Sequence, residues 1–299
     1  MKPTTRSFYR QAVQDAIDFV VANLDEAIDL ARLAGIVGLS PFHFHRVFKG
    51  MTGETPLELV RRLRLERAAA RLVGTDLGIT RLAFEAGFET HEAFSRAFRV
   101  AYGTSPTGFR RRRHPRYQIA ASCSIHYHPA GSPAAFVPRD TGGGAMEVDV
   151  RELPSRRVAT VRHVGPYNQI SRAFARLGEI GGPAGLFQHP EAAMIALYHD
   201  DPEATAPEAL RSDAGIIVPD SAVLPPGLEE QRIPAGRFAM ALHRGPYELL
   251  GDVWARFLGE WLPASGHRMG SGPSFELYRN DPTNTPKERL ETEIWISLA

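Results

Sequence analysis

Two internal repeats divide the sequence, and together they constrain the fold more than any other feature. In the N-terminal half, FSRAFR at residues 94–99 matches FHRVFK at 44–49, an offset of 50. In the C-terminal half, HVGPY at 163–167 matches HRGPY at 243–247, an offset of 80. The two repeats share neither their period nor their sequence. A chain of 299 residues that carries both is predicted to fold as two domains.

The N-terminal repeat has the periodicity of helices. In the segment 41–51, apolar residues recur at helical spacing, so one face is expected to pack inward while polar residues face outward. A short helical segment at 30–37 precedes it, and the turn between them contains Gly38. Helix, glycine turn and helix form a helix-turn-helix, and the offset of 50 predicts a second one. We predict an all-α domain with tandem helix-turn-helix units over residues 1–113.

A long helix is predicted between the two units. Thr55-Pro56-Leu57-Glu58 is a capping box with proline at the first helical position, and helical sequence continues to Gly74. About 17 residues of helix span roughly 25 Å. A rigid spacer of this length would let the two outward-facing helices enter successive major grooves, which lie about 34 Å apart.

Outward-facing side chains on the second helix of each unit are the candidate DNA contacts. Arg46 and Arg96 suit bidentate bonding to guanine, and Ser95 and the histidines suit bases or phosphates. The alternative is a helical bundle whose exposed arginines and histidines are only solvated. The candidates on the outward faces are Phe42, His45, Arg46, Lys49, His91, Glu92, Ser95, Arg96 and Arg99. The candidates for contact with the phosphate backbone are Arg61, Arg62, Arg64, Arg67, Arg110, Arg111, Arg112 and Arg113.

The charge distribution agrees with a polyanionic partner for the N-terminal half. Residues 1–117 contain 19 Lys and Arg against 12 Asp and Glu, whereas residues 118–299 contain 16 against 22. Cys123 is the only cysteine, which excludes an intramolecular disulfide and a thiolate zinc cluster. No apolar run reaches the length of a membrane span. We expect a cytoplasmic protein of the bacterial nucleoid, with no membrane partner and no metal.

The C-terminal half is predicted to be a separate α+β domain over residues 146–299. Before it, residues 114–145 are rich in proline, glycine and serine, so we expect a linker without one fixed conformation, partly strand-like near 117–124. The domain is predicted as a duplicated antiparallel sheet with pseudo-two-fold symmetry and a ligand cleft between its two helices. The predicted strands are 157–164, 193–198, 214–218, 237–244, 275–278 and 293–297, and the predicted helices lie near 166–180 and 246–260.

The duplication breaks at one informative position. Alternation places Glu276 and Tyr278 on one face of their strand, and the offset of 80 matches Glu276 to Ala196. A carboxylate added to an aromatic frame favours an organic cation as ligand. The alternative is an internal ion pair, for example with Arg268 or Arg279. The candidate ligand-binding residues are Tyr167, Tyr198, Tyr247, Trp254, Glu276, Tyr278 and Trp295.

The repeated His-x-Gly-Pro-Tyr motif is interpreted as a strand-to-helix corner. Glycine and proline suit such a corner through backbone geometry alone. His163 and His243 are also predicted to be structural, since neither has a partner at metal-ligand spacing. We therefore expect no cofactor.

The N-terminal motifs resemble a known family. Gly87-Phe88, FSRAF at 94–98 and GTSP at 103–106 are similar to the DNA-binding domain of AraC/XylS-type transcription regulators, and the resemblance covers residues 8–113. It implies that both helix-turn-helix units bind DNA. The base-reading positions that it implies are Phe42, His45, Arg46, His91, Glu92, Ser95 and Arg96.

The C-terminal motifs resemble the GyrI-like effector-binding domain over 146–299. The matching features are the paired His-x-Gly-Pro-Tyr motifs, FELY at 275–278, and Asp281-Pro282, which matches Asp201-Pro202 in the other repeat. The resemblance implies a cleft for hydrophobic, often cationic, compounds with a central glutamate at position 276. Some GyrI-like proteins hydrolyse strained cyclopropane-containing toxins. The order of the two domains resembles Rob-type regulators.

These features predict a transcription regulator without enzymatic activity. Its partners would be double-stranded DNA and a small-molecule effector, and the chain would act as a monomer or a homodimer. One alternative is a regulator whose C-terminal domain contacts a protein such as RNA polymerase. The other is a hydrolase of toxic electrophiles with Glu276 as general base.

Overall fold

The computed structural model describes residues 5–113, 116–131, 135–138, 146–200 and 205–299. The chain divides into two units, one within residues 7–142 and one within 143–299. Asp201-Pro202 of the predicted repeat lies outside the described residues. Within the described ranges, no helix combines the length and the apolar composition of a membrane span.

The first unit contains the two predicted helix-turn-helix motifs, joined by one long helix. Its helices are α1 (Thr5–Ala22), α2 (Leu30–Ile36), α3 (Pro41–Thr52), α4 (Pro56–Gly74), α5 (Ile79–Glu85), α6 (His91–Tyr102) and α7 (Pro106–Arg112). The helices α2 and α3 form the first motif, α5 and α6 form the second, and α4 lies between them in the chain.

Local sequence signals start these helices and shape the turns. The side chains of Ser40 and Thr90 cap α3 and α6 by accepting hydrogen bonds from backbone N–H groups of the first turn. Gly38 and Gly87 occupy the two turns with φ angles of 68° and 79°, a left-handed conformation that favours glycine. The predicted capping box starts α4.

Aromatic side chains form the core beneath each motif. Phe44 and Phe48 are buried under α3, and Phe94 and Phe98 are buried under α6. The ring of Phe98 also meets that of Phe109 edge-on at 5.3 Å, which ties α7 to the second motif. The offset of 50 in the sequence therefore repeats a core as well as an outer face.

The segment that follows α7 differs from the predicted linker, because its described part packs on the first unit. Cys123, Ile125 and Phe136 are buried, and the stretch 117–124 contains no strand. The buried carboxylate of Glu66 in α4 accepts hydrogen bonds from two backbone N–H groups of this segment, those of Ile119 and Tyr127. Composition alone does not reveal such partners. The predicted linker residues 114–115, 132–134 and 139–145 lie outside the described residues.

An eight-stranded antiparallel sheet organises the second unit. Its strands are β1 (Val148–Leu153), β2 (Arg156–Val164), β3 (Met194–Tyr198), β4 (Arg211–Val218), β5 (Glu229–Ile233), β6 (Gly236–Arg244), β7 (Phe275–Tyr278) and β8 (Glu291–Ser297). The strand order is β1-β6-β8-β7-β3-β4-β2-β5. Six of these strands were predicted from the sequence, and the two at the edges, β1 and β5, whose residues are mostly exposed, were not.

The two sequence repeats meet at the middle of the sheet. Strands β3 and β7 pair so that Ala196 lies opposite Glu276, the residue that the offset of 80 also matches to it. Beyond β3 the order continues through β4, β2 and β5, and beyond β7 it continues through β8, β6 and β1. The pseudo-two-fold symmetry of the domain stays a prediction.

The helices of the second unit follow the two corners. Helix α8 (Ser171–Gly181) begins after a 3₁₀ turn and packs on β2 and β4. Helix α9 (Leu250–Arg256) continues through a π-helical turn at Phe257–Trp261 into α10 (Leu262–Ser265). The predicted helices near 166–180 and 246–260 are therefore present, and each is preceded by a short 3₁₀ segment.

The repeated corner has the structural role that the sequence predicts. The Nε2 atom of His163 lies 3.1 Å from the carbonyl oxygen of Pro166, and that of His243 lies 3.1 Å from the same atom of Pro246. The glycine inside each corner has a φ angle of 134° or 137°, a region that favours glycine. Each histidine donates a hydrogen bond from its Nε2–H group to the proline carbonyl oxygen. This bond holds the end of the strand to the start of the helix.

Candidate functional site

Helix α6 presents the outer face that the sequence predicts. Glu92, Arg96 and Arg99 are exposed, and His91 and Ser95 are half-buried. Below them, the aromatic core fixes the position of the helix, so the polar side chains project from a rigid support. Exposed arginine on a helix held in this way suits base edges in a major groove.

Helix α3 is more covered than α6. Phe42, Arg46 and Lys49 are half-buried, and the guanidinium of Arg46 lies 4.6 Å from the centre of the Phe42 ring. His45 is only 5% exposed, so the prediction that it faces outward is wrong. Position 45 lies about 100° around the helix from Phe44, and the buried arc of α3 is wide enough to include it.

His43 also belongs to the buried arc of α3, on the other side of Phe44 from His45. Its ring meets Tyr9 of α1 edge-on at 5.4 Å. Among the described residues, its Nε2 atom has no hydrogen-bond partner. Burial disfavours the charged imidazolium and lowers the pKa of His43 to about 4. The first unit therefore holds a neutral histidine at its centre.

We expect this histidine to make the first unit sensitive to acid. The pKa is about 4 when folded and near 6.5 when unfolded, so between these values the unfolded chain binds more protons. The free energy of unfolding should fall by roughly 3 kcal/mol as the pH drops from about 6.5 to 4. Urea titrations at several pH values, with His43→Gln and the half-buried control His91→Gln, measure the difference. An equal pH slope in wild type and His43→Gln would contradict this assignment.

Several arginines predicted to contact the phosphate backbone instead hold the first unit together. Arg62 donates to Glu54 and Glu66. Arg64 donates to the carbonyl oxygens of Leu24 and Glu26 at 2.9 and 2.5 Å. Four of the arginines that were predicted to contact the DNA phosphate backbone bond to neighbouring residues in this way: Arg62, Arg64, Arg67 and Arg110. The predicted backbone contacts that remain exposed are Arg61, Arg111, Arg112 and Arg113.

The second unit builds its candidate site around Glu276, which is 3% exposed. Its carboxylate accepts hydrogen bonds from the hydroxyl groups of Tyr198 and Tyr278, each at 2.8 Å. The indole Nε1–H of Trp254 donates to its other oxygen at 2.8 Å. The three donors come from β3, β7 and α9 and are all neutral. Within the described residues, no basic side chain pairs with Glu276.

Aromatic rings surround this carboxylate. The Tyr167 ring lies 4.8 Å from that of Tyr198, and the Tyr247 ring lies 5.4 Å from that of Tyr278. Burial, followed by the negative charge of Glu276, raises the pKa of Tyr278 well above its usual value. Burial also raises the pKa of Tyr247. Both phenols therefore stay protonated at neutral pH, and Tyr278 remains a hydrogen-bond donor to the carboxylate.

The structure brings six of the seven predicted ligand residues together and separates one. Trp295 pairs with Phe275 in the register and stacks on its ring at 5.8 Å, so it lies on the opposite face of the sheet from Glu276. The prediction that Trp295 binds the ligand together with Glu276 is therefore wrong, because adjacent residues of a strand point to opposite faces of the sheet. The predicted ion-pair partner Arg279 bonds instead to Glu293.

One aromatic residue near the site was absent from the predicted set. The Phe174 ring of α8 meets that of Tyr278 at 5.7 Å. The offset of 80 matches Phe174 to Trp254, so the repeat itself carried the signal that would have identified it. No group of His, Cys, Asp and Glu that could hold a metal was found among the described residues.

An exposed arginine-bearing helix in a tandem helix-turn-helix domain, joined to a sheet domain with aromatic rings around a buried carboxylate, defines a DNA-binding transcription regulator. The chain belongs to the GyrI-like small molecule binding domain family, whose model matches residues 146–299, and a helix-turn-helix domain model of AraC type matches residues 33–112.

Relatives of each half are known. A DNA gyrase inhibitor of Yersinia enterocolitica is 33% identical over 141 residues, which are 46% of this chain and 88% of that protein. The probable transcriptional regulator YgiV of Escherichia coli is 28% identical over 158 residues, 52% of this chain and 97% of that protein. The HTH-type regulator YbfP of Bacillus subtilis is 36% identical over 103 residues, 34% of this chain and 35% of that protein.

Proposed function

We propose that the N-terminal domain binds a specific duplex through two successive major grooves and that the C-terminal domain senses an organic cation. Ligand binding alters promoter activity by favouring one of at least two conformations of the chain. The protein acts as a regulator rather than as an enzyme. The domain bounds 1–113 and 146–299 are part of this proposal.

The observation that carries the DNA half is the outer face of α6. Arg96 and Arg99 are exposed on a helix whose opposite face is locked by Phe94 and Phe98. Such a helix keeps its backbone in place before DNA arrives, so binding does not have to order the helix. Helix α3 offers Arg46 as the corresponding residue in the first motif.

Arg96→Ala should lower the affinity for the specific duplex by about 5- to 150-fold, the equivalent of roughly 1–3 kcal/mol, and relax base choice at one position. The duplex is first selected from a random pool, and affinities are then measured by fluorescence anisotropy at fixed salt. Arg46→Ala tests α3 in the same way. Arg111→Ala is the control, because loss of a phosphate contact weakens all sequences alike. Equal losses on selected and random DNA would show that Arg96 does not read bases.

The observation that carries the sensor half is the set of neutral hydrogen-bond donors around the Glu276 carboxylate. A buried carboxylate held only by neutral donors has its negative charge uncompensated by any basic residue of the described chain. A cation that enters between the tyrosine rings gains both the carboxylate and the aromatic faces. A neutral molecule of the same shape gains only the apolar contact, so the site is expected to discriminate by charge.

A further inference from the structure

The segment 117–127, which we call the brace, lies on α4 and folds back on itself, because Ile119 and Tyr127 both bond to the carboxylate of Glu66. At one end, Tyr117 and Ile119 pack against the core of the second motif. The hydroxyl group of Tyr102 in α6 donates to the carbonyl oxygen of Tyr117 at 2.6 Å. The brace therefore begins on the reading helix of the second motif.

The middle of the brace reaches the turn that follows the first motif. The Sγ atom of Cys123 lies 3.0 Å from Oε1 of Glu54, which stands between α3 and α4. Farther along the chain, the backbone N–H of Phe136 donates to the side chain of Gln14 in α1 at 3.0 Å. Burial, followed by the hydrogen bond with Glu54, raises the pKa of Cys123 to about 11, so the thiol stays protonated and can donate.

A single buried carboxylate holds both ends of the brace. Glu66 of α4 is fully buried and accepts hydrogen bonds from the backbone N–H groups of Ile119 at 2.9 Å and Tyr127 at 2.8 Å. The Nδ1 atom of His126 lies 3.0 Å from the same carboxylate. Arg62, one turn away on α4, completes the clamp by donating to Ile125 O at 2.7 Å and to Glu66 at 3.1 Å.

We propose that the brace, clamped by Glu66, is a positioning device that fixes the separation and rotation of the two reading helices. Helix α4 packs against α3 and α5, and Arg64 and Arg67 bond it to residues beside each motif, so a limited rotation of one motif about the helix axis is the freedom that remains. A second connection that touches α6, α4 and the Glu54 turn removes this freedom. The brace therefore sets the spacing between half-sites that the protein accepts, an inference that rests on the proposed binding of two successive grooves.

The physical consequence is a sharp dependence on half-site spacing. Each base pair inserted between half-sites rotates one relative to the other by about 34° and shifts it by about 3.4 Å. A rigid pair of reading helices cannot follow this change, whereas a pair joined only by α4 can follow part of it. Wild type should lose about tenfold in affinity or more for one inserted base pair.

Two variants release the brace at different points. Glu66→Gln keeps the side-chain length and removes the charge that holds two backbone N–H groups and Arg62. Tyr102→Phe removes only the hydroxyl group that bonds to Tyr117, and it is not expected to threaten folding. The matched control is Glu26→Gln, since Glu26 pairs with Arg32 in an exposed ion pair away from the brace. Far-UV circular dichroism checks that each variant folds.

The test measures affinity for the selected duplex and for versions with one or two inserted base pairs, together with hydrogen exchange at the amides of Ile119 and Tyr127. We expect Glu66→Gln to lose amide protection and to show less than about a threefold penalty for one inserted base pair, with affinity for a single half-site unchanged. Tyr102→Phe should shift the penalty in the same direction, and it carries the test if Glu66→Gln does not fold.

Three results would overturn the inference. The spacing penalty could persist after amide protection is lost, or protection could persist in Glu66→Gln, or a folded Tyr102→Phe could keep the full wild-type penalty. Failure of the two-groove proposal looks different. In that case wild type itself binds a single half-site as tightly as the full duplex and shows no spacing penalty.

Discussion

Glu276→Gln is expected to reduce the affinity of the full chain for an organic cation by about 30-fold or more, the equivalent of roughly 2 kcal/mol or more. Glutamine keeps the length of the side chain and one acceptor oxygen, so Tyr198 and Tyr278 retain a partner. The negative charge is lost, and Trp254 loses its acceptor when the amide nitrogen takes the place of the other oxygen. Because the carboxylate is buried and the groups that donate to it are neutral, its charge is the main source of attraction for a cation.

Tetraphenylphosphonium, a bulky aromatic cation, is a suitable probe for this measurement, and triphenylphosphine oxide is its neutral counterpart. Binding is followed by isothermal titration calorimetry. Wild type should prefer the cation, and Glu276→Gln should bind the two compounds about equally. The control is Glu293→Gln, a buried carboxylate on the opposite face of the sheet, where cation affinity should not change. Undiminished cation binding by Glu276→Gln would contradict a carboxylate-centred site.

The same variant distinguishes the hydrolase alternative. If the chain consumed a reactive electrophile and Glu276→Gln abolished that turnover, the carboxylate would act as a base toward water or substrate rather than as a counter-ion. If the cation binds without turnover, and this binding is lost when Glu276→Gln removes the charge, the result agrees with a sensor. Binding and turnover are measured on the same preparation of each protein. A folding defect in Glu276→Gln would therefore affect both measurements.

Local patterns in the sequence predicted most of the secondary structure and part of the site. Helical spacing and the capping box gave α3, α4 and α6 to within a few residues, because these signals act over one or two turns. The Glu276 cluster was predictable for a different reason. The offset of 80 placed β3 and β7 as related strands, and alternation then selected the face that Tyr198 and Glu276 share.

The remaining features depend on neighbours that are distant in the sequence. Nothing near Arg62 indicates that Glu54 will face it from outside the helix, or that Ile125 will arrive with a carbonyl oxygen. The burial of His45 depends on how wide an arc of α3 is covered, which helical spacing does not define. The sequence around an arginine on a helix is the same whether its side chain reaches DNA or a buried carboxylate. The positive charge of residues 1–117 therefore predicted more arginines available for DNA than the structure exposes.

Arg62→Met is expected to lower the free energy of unfolding of the first unit by about 3–5 kcal/mol. The side chain of Arg62 is 9% exposed and lies 2.6 Å from Glu54 and 3.1 Å from Glu66. Methionine fills a similar volume but leaves Glu54 and Glu66 without their shared cation. Desolvation by burial works against the charged form, but the hydrogen bond to Glu54 and the charges of Glu54 and Glu66 outweigh it and raise the pKa of Arg62, so the guanidinium stays charged in the folded state.

The control for this prediction is Arg71→Met on the same helix. Arg71 lies 2.6 Å from Glu85, but its side chain is 36% exposed, and Glu85 keeps a second partner in Arg81. Its loss should cost no more than about 1 kcal/mol. Because all three tryptophans lie beyond residue 250, far-UV circular dichroism rather than tryptophan fluorescence follows unfolding of the helical unit in urea.

Arg62→Met also separates a structural arginine from a DNA contact. A phosphate contact would leave the urea midpoint unchanged and weaken binding to every DNA sequence, with a smaller dependence on salt. A buried counter-ion would shift the midpoint, and removal of the excess charge in the triple variant Arg62→Met, Glu54→Gln, Glu66→Gln should recover part of the loss. An unchanged midpoint in Arg62→Met would mean that the Arg62 cluster does not stabilise the unit, and the sequence-based assignment of Arg62 to the DNA backbone would regain support.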